Sequence, residues 1–147
     1  IGSFNLENLI LAASIAIELN ISAQSIAKGI ENCTNIDGRL HLVENKKNQM
    51  IFLDYAHSPD AYFRTLKALE ENFSRPLKVL FGAGGGRDKS KRPKMAEVVE
   101  KYSIECYLAP DNPRFEDIEL INNDVIKGFS NESHHIFNDR KKHLYLL

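Results

Sequence analysis

Residues 82–94 read Gly82-Ala83-Gly84-Gly85-Gly86-Arg87-Asp88-Lys89-Ser90-Lys91-Arg92-Pro93-Lys94, with four glycines in the first five positions and five cations in the last eight. Glycines let a main chain approach a ligand closely, and the helix expected to follow contributes its positive end. Gly84, Gly85 and Gly86 with Lys89, Lys91 and Arg92 are therefore a candidate site for a phosphate or carboxylate. It is not a Walker A loop, because no Gly-Lys-Ser/Thr stands at the right spacing. The competing reading is a flexible, solvated turn. Against it, five cations at a helix amino terminus are disfavoured by the helix dipole and call for a counter-anion.

A second group is Asp111-Asn112-Pro113-Arg114, which packs an acceptor, an amide and a planar fork of donors into one Pro-stiffened turn. Arg114 can bind a carboxylate through two parallel hydrogen bonds, while Asp111 and the amide oxygen of Asn112 can receive an ammonium. Such a set can grip an amino acid; the alternative is an ordinary capped turn. A third is Asp54-Tyr55-Ala56-His57-Ser58-Pro59-Asp60. Asp54 suits a ribose hydroxyl pair or a metal-bound water, and His57 can donate to a phosphate, stack on a base or simply be solvated. Ser58 and Asp60 are ordinary residues for a helix start.

The elements that must position these groups follow from apolar patterning. Runs at Met50 to Leu53, Leu77 to Phe81, Ile104 to Ala109 and Ser133 to Phe137 are continuous rather than alternating, which predicts strands buried on both faces. Helices are expected between them, at Pro59 to Phe73, Pro93 to Tyr102 and Glu116 to Phe129. Alternating strand and helix predicts an α/β fold with a mostly parallel sheet, whose ligands bind beyond the carboxyl ends of the strands. All three chemical groups stand there. Upstream, Leu6, Leu9, Ile10, Ala13 and Ile17 recur at helical spacing to near Asn20, and Ser22 can cap a second helix carrying Ile26 and Ile30 inward. A domain boundary is placed near residue 37, in the polar stretch Cys33-Thr34-Asn35-Ile36-Asp37-Gly38.

Composition bounds the function. The 147 residues carry 19 basic and 20 acidic side chains, a formal charge of -1, which does not favour nonspecific nucleic-acid binding. No apolar run approaches the ~20 residues of a membrane span. Cys33 and Cys106 stand apart with no cluster at zinc spacing, so both read as structural thiols and no metal site is expected. The absence of an initial Met and of a closing turn or cap reads as a piece of something longer.

Gly2-x-Phe4-Asn5-x-x-Asn8, Gly38-Arg39, the Asp54 to Asp60 segment, Gly85-Gly86-Arg87-Asp88-Lys89-x-Lys91-Arg92-Pro93 and Asp111-Asn112-Pro113-Arg114 occur in order and at fitting distances. Together they resemble the Mur ligases, and within them those that extend UDP-N-acetylmuramoyl-L-alanyl-D-glutamate by the third residue of the peptidoglycan stem peptide. The resemblance implies a Rossmann-like carboxyl-terminal domain from residue 37 to 147, truncated at its end and preceded over residues 1–36 by helices of a central ATP-binding domain. It implies a nucleotide site at Asn5, Asn8, Arg39, Asp54 and His57, and an amino-acid site at Arg87, Asp111, Asn112, Pro113 and Arg114. The Asp-Asn-Pro-Arg form is the one associated with meso-diaminopimelate rather than L-lysine.

The implied reaction is ATP-dependent amide formation through an acyl phosphate, in a cytoplasmic, monomeric parent that binds neither nucleic acid nor membrane. The resemblance puts the phosphate loop, the Mg2+ ligands and a modified lysine upstream of Ile1, and a Gly-Lys-Gly-His-Glu segment beyond Leu147. No catalytic residue is therefore assigned within residues 1–147, and this stretch is not expected to turn over by itself. A folylpolyglutamate or cyanophycin synthetase, a lysine-adding ligase and a noncatalytic nucleotide-binding module are the alternatives; they differ chiefly at the amino-acid turn.

Overall fold

The computed structural model describes residues 3–33, 35–47 and 49–140, which form two compact units dividing between Ala56 and His57. Gly2, Thr34 and the closing 141–147 stretch lie outside the described residues.

In the first unit, helix α1 (Ser3–Glu18) ends at Asn20, which takes a left-handed conformation at φ 58°. Helix α2 (Ala23–Asn32) starts as expected at Ser22, whose hydroxyl accepts the Ser25 N–H at 3.2 Å. Both helices differ from the expectation of one inward face. Leu6, Ile10, Leu11, Ile15 and Ile17 are each more than half exposed, α2 buries no residue, and Ile30 is exposed. The two helices pack on each other, which leaves the rest of each apolar surface exposed.

The chain then forms a hairpin the sequence reading did not anticipate. Strand β1 (His41–Val43) pairs antiparallel with β2 (Ile51–Leu53), in register His41 to Leu53. The 50–53 run is thus a strand, but not part of the parallel sheet. The reason lies in Asn45. Its amide nitrogen donates to the carbonyls of Val43 (3.3 Å) and Gln49 (2.6 Å), and its oxygen accepts the N–H groups of Lys47 and Gln49, so one side chain closes the turn.

The second unit is the expected α/β layer. Helix α3 (Pro59–Asn72) leads into β3 (Lys78–Phe81), α4 (Lys91–Tyr102), β4 (Glu105–Leu108), α5 (Ile118–Ile126) and β5 (His134–Ile136). The strands form a parallel sheet in the order β3-β4-β5. Register places Phe81, Leu108 and Ile136 side by side, and alternation then divides the sheet into two faces. One face carries Phe81, Cys106 and Leu108 under the helices: Phe81 meets Tyr62 of α3 and Phe129 edge-on, and Leu66, Leu69, Met95, Ala96, Val99, Ile121 and Val125 are buried. Burial pushes the Cys106 thiol pKa up, as a structural thiol requires.

The other face differs from the expected double burial. It presents Tyr107, His135 and Phe137 as three mutually stacked rings, with Lys78 paired to Glu105 at 3.0 Å and the Tyr107 hydroxyl donating to Glu105. No helix among the described residues is long and apolar enough to cross a membrane.

Candidate functional site

The carboxyl ends of β3 and β4 lie side by side, the Ala109 N–H donating to the Phe81 carbonyl at 2.9 Å, so the glycine segment and the Asp-Asn-Pro-Arg segment leave the sheet as neighbours. They stay in contact. The Gly85 N–H donates to the Asn112 carbonyl at 2.9 Å, and the Arg114 guanidinium donates back to the Gly85 carbonyl through Nη1. A Cβ on Gly85 would stand 1.9 Å from the Pro113 oxygen, so only glycine permits this approach. Arg114 itself sits at φ 50°, a left-handed conformation uncommon for a long side chain, with its N–H on the Asn112 side-chain oxygen at 3.1 Å. Arg114 is exposed, and its Cδ lies 3.1 Å from where a Cβ of Gly86 would be. Asp111 is also exposed, 3.5 Å from Arg140. The structure therefore brings the glycine loop, Asp111, Asn112, Pro113 and Arg114 into one rim.

The cations behave differently from the expectation of an anion cradle. Arg92 is 2% exposed, and it donates through Nη1 to Asp124 at 3.0 Å and through Nη2 to both carboxylate oxygens of Glu116 at 3.0 Å. Nη2 also reaches the Gly84 carbonyl at 3.3 Å, while Nε is buried without a partner. Lys89 pairs with Glu116 at 3.2 Å. The counter-anion that these charges require is thus supplied by the chain itself, through two carboxylates that sequence reading missed. The loop's amides are engaged as well: Gly85 donates to Asn112 and Gly86 to Glu116 at 2.6 Å. The Gly86 N–H, with Arg92 and Lys89 behind it, outweighs burial and holds the Glu116 carboxyl below its ordinary value. Asp124 is held low by Lys127 and Arg92. What remains for a ligand is Arg87, exposed and without a hydrogen bond or ion pair among the described residues, and exposed Lys91 and Lys94.

The nucleotide candidates occupy other places. Asn5 is half-buried and Asn8 exposed, one helical turn apart on α1. Asp54 accepts the Leu40 N–H at 2.9 Å through one oxygen and the Ala56 N–H at 2.8 Å through the other. It thereby pins the Gly38-Arg39-Leu40 turn, where Gly38 at φ 70° faces the Tyr55 ring and Leu40 at φ 47° is buried. Arg39 is exposed at the apex; its N–H donates to the Ile36 carbonyl at 3.0 Å, and its guanidinium has no hydrogen bond or ion pair among the described residues. In the second unit His57 is exposed immediately before α3, whose start is made by Ser58, accepting the Ala61 N–H at 3.3 Å, and by Pro59. Asp60 pairs with Arg64 at 3.0 Å. Ser58 and Asp60 are helix-start residues, as the sequence suggests. No group of three His, Cys, Asp or Glu side chains among the described residues could hold a metal ion.

Comparison with known proteins bears on what this rim serves. Residues 38–146 match the family described as Mur ligase, glutamate ligase domain. The chain is 42% identical over 128 residues to the UDP-N-acetylmuramoyl-L-alanyl-D-glutamate--2,6-diaminopimelate ligase of Lawsonia intracellularis, covering 87% of this chain and 26% of that protein. It is 38% identical over 143 residues to the ligase of the same name from Buchnera aphidicola, covering 97% of this chain and 29% of that protein. A solved structure of a ligase of that name superposes with a TM-score of 0.69 at 33% identity, over 99% of this chain and 30% of that one. Folylpolyglutamate synthase of Mycobacterium tuberculosis superposes with a TM-score of 0.78 at 17% identity, over 99% of this chain and 33% of that one, a likeness of fold alone. The chain spans less than a third of the length of the relatives it matches.

Proposed function

Because the chain belongs to the Mur ligase family, we propose that it forms part of a cytoplasmic ligase that adds meso-diaminopimelate to UDP-N-acetylmuramoyl-L-alanyl-D-glutamate in peptidoglycan synthesis. In this reading the rim beyond β3 and β4 recognises the incoming amino acid. The observation that carries it is the Arg114 guanidinium, anchored by one nitrogen to the Gly85 carbonyl and set beside the segment that bears Arg87, which is unpaired among the described residues. The remaining N–H groups of Arg114 meet the distal carboxylate of diaminopimelate, and Asp111 with the Asn112 amide receives the ammonium. Lysine has no distal carboxylate, so binding it would cover the guanidinium without pairing it.

In this reading the nucleotide belongs at the turn of the first unit. Arg39, whose guanidinium is unpaired among the described residues, stands at the apex of a turn fixed by Asp54 and fits a phosphate, and Asn5 and Asn8 are the candidate contacts to the base. Bound ATP with Mg2+ supplies the phosphoryl group that activates the γ-carboxylate of the D-glutamate residue. The described residues do not themselves fit a magnesium ion, since they hold no acidic or His cluster. The part played by this chain is to bind and orient: Arg39 neutralises phosphate charge, and the rim holds the incoming amino acid.

The test is to assay the full-length parent protein with its UDP-linked dipeptide, ATP-Mg2+ and either diaminopimelate or lysine. A preference for diaminopimelate of about tenfold or more in kcat/KM is expected, the size of one lost charged hydrogen bond. Equal use of lysine would overturn the reading.

A further inference from the structure

Glu116 stands two residues beyond Arg114, and no role follows for it from the Asp-Asn-Pro-Arg turn alone. Its carboxylate nevertheless touches every part of the rim's support. One oxygen accepts the Gly86 N–H at 2.6 Å; both oxygens accept the buried Arg92 Nη2 at 3.0 Å; and Lys89 lies 3.2 Å away. It is 20% exposed, so these bonds form largely out of water. Arg92 is in turn fixed by Asp124 and the Gly84 carbonyl, which ties α4 and α5 to the same point.

The consequence is geometric. Gly86 precedes Arg87, and the Arg114 side chain passes 3.1 Å from the Cβ position of Gly86. The Gly86 bond to Glu116 therefore sets the position of the backbone that presents Arg87, while the Arg114 bond to Gly85 sets the position of the second guanidinium against the same backbone. We infer that Glu116 is a positioning residue for amino-acid selection: by holding the Gly86 amide it fixes where the backbone of Arg87 stands against the anchored Arg114 guanidinium, and with it the reach of the diacid the rim accepts. This rests on the reading of the rim as the amino-acid site. Glu116 touches no substrate itself. Its low carboxyl pKa is consistent with a group that stays charged and bonded throughout the working range.

Asp124 gives the discriminating control, because it pairs with the same Arg92 through the other nitrogen yet makes no bond to the loop. In the full-length ligase, Glu116→Ala, which removes the acceptor for the Gly86 N–H, is expected to raise the KM for diaminopimelate by about tenfold or more while changing the KM for ATP by less than about twofold. Asp124→Asn is expected to lower the melting temperature and to leave both constants within about twofold. If Asp124→Asn raises the diaminopimelate KM as far as Glu116→Ala does, or if Glu116→Ala lowers only the melting temperature, the inference is overturned. Arg114→Ala measured in parallel separates the two levels. Should it leave the diaminopimelate KM unchanged, the amino-acid reading of the rim fails; should it raise that KM while Glu116→Ala does not, only the role of Glu116 fails. If Glu116→Ala does not accumulate as folded protein, Glu116→Asp carries the same expectations, since it keeps a carboxylate near Arg92 but withdraws from Gly86 by one methylene.

Discussion

The carboxylate of Asp54 holds Leu40 in a left-handed conformation, accepting its N–H at 2.9 Å while Leu40 lies at φ 47° with its side chain buried. A leucine there carries about 1–2 kcal/mol of steric cost, so the turn persists only because something fixes it. Asp54 does so with one oxygen and secures the Ala56 N–H with the other. Its first role is therefore to present Arg39. Asp54→Ala is expected to lower stability by about 1.5–3 kcal/mol in urea unfolding, and to raise the KM for ATP in the full-length protein more than that for diaminopimelate. A larger effect on the amino acid would place Asp54 with the rim instead.

Arg114 has the opposite expectation. Arg114→Ala should raise the KM for diaminopimelate by roughly ten- to a hundredfold while the KM for ATP stays nearly constant, because the fork is lost and the nucleotide turn is untouched. Arg114→Lys should restore little of it, as an ammonium cannot both hold the Gly85 carbonyl and pair a carboxylate side by side. Steady-state kinetics with each substrate varied in turn decides this.

Removing Arg92 leaves Glu116 and Asp124 facing each other's surroundings without their common cation. Arg92→Met is expected to cost about 3–5 kcal/mol, the usual size for breaking a buried pair by one partner. Adding Glu116→Gln and Asp124→Asn to it should recover part of the loss, since the two carboxylates, left with Lys89 and Lys127 as their cationic partners, go with them. Urea titration of the single and triple variants measures both, and a triple variant no more stable than the single would contradict the account.

Both carboxyls titrate below their ordinary values in the folded chain, Glu116 through the Gly86 N–H first and Asp124 through Lys127 first. The unfolded chain then binds more protons than the folded one in the acid range, so the stability they contribute is complete above the ordinary carboxylate pKa and is lost as pH falls below about 4. Glu100, which accepts the N–H groups of Ser130 and Asn131, is also held low and acts in the same direction. Urea midpoints measured from pH 7 downward should fall steeply in that interval for the native sequence and less steeply for Glu116→Gln.

How far the sequence speaks depends on how local each cause is. Ser58 before Pro59 announces α3 because a cap acts within one turn, and the runs ending at Phe81 and Leu108 announce β3 and β4 because apolar content is a property of the run itself. The convergence of Gly85 with Pro113 and Arg114 follows from neighbouring strand ends, so the meeting of these two loops is legible from the strand and helix pattern. Arg92 was not. It looks like one of five similar cations, and its partners stand 24 and 32 residues away on elements whose packing decides the pairing. The β1–β2 hairpin was missed for a related reason: its turn contains no Asn-Gly pair, and Asn45 closes it by side-chain bonds that no dipeptide signal encodes. The open second face of the sheet escaped because Glu105 and Tyr107 satisfy each other.

The rim's two loops are stitched together by Gly85, Gly86, Asn112 and Glu116 through bonds within the chain itself. A surface that arrives already set spends little ordering entropy on its guest, and it rejects by misfit rather than by failing to close. Chain-length analogues, with the far acid group moved by one carbon, should therefore be refused abruptly on both sides of the fitting length.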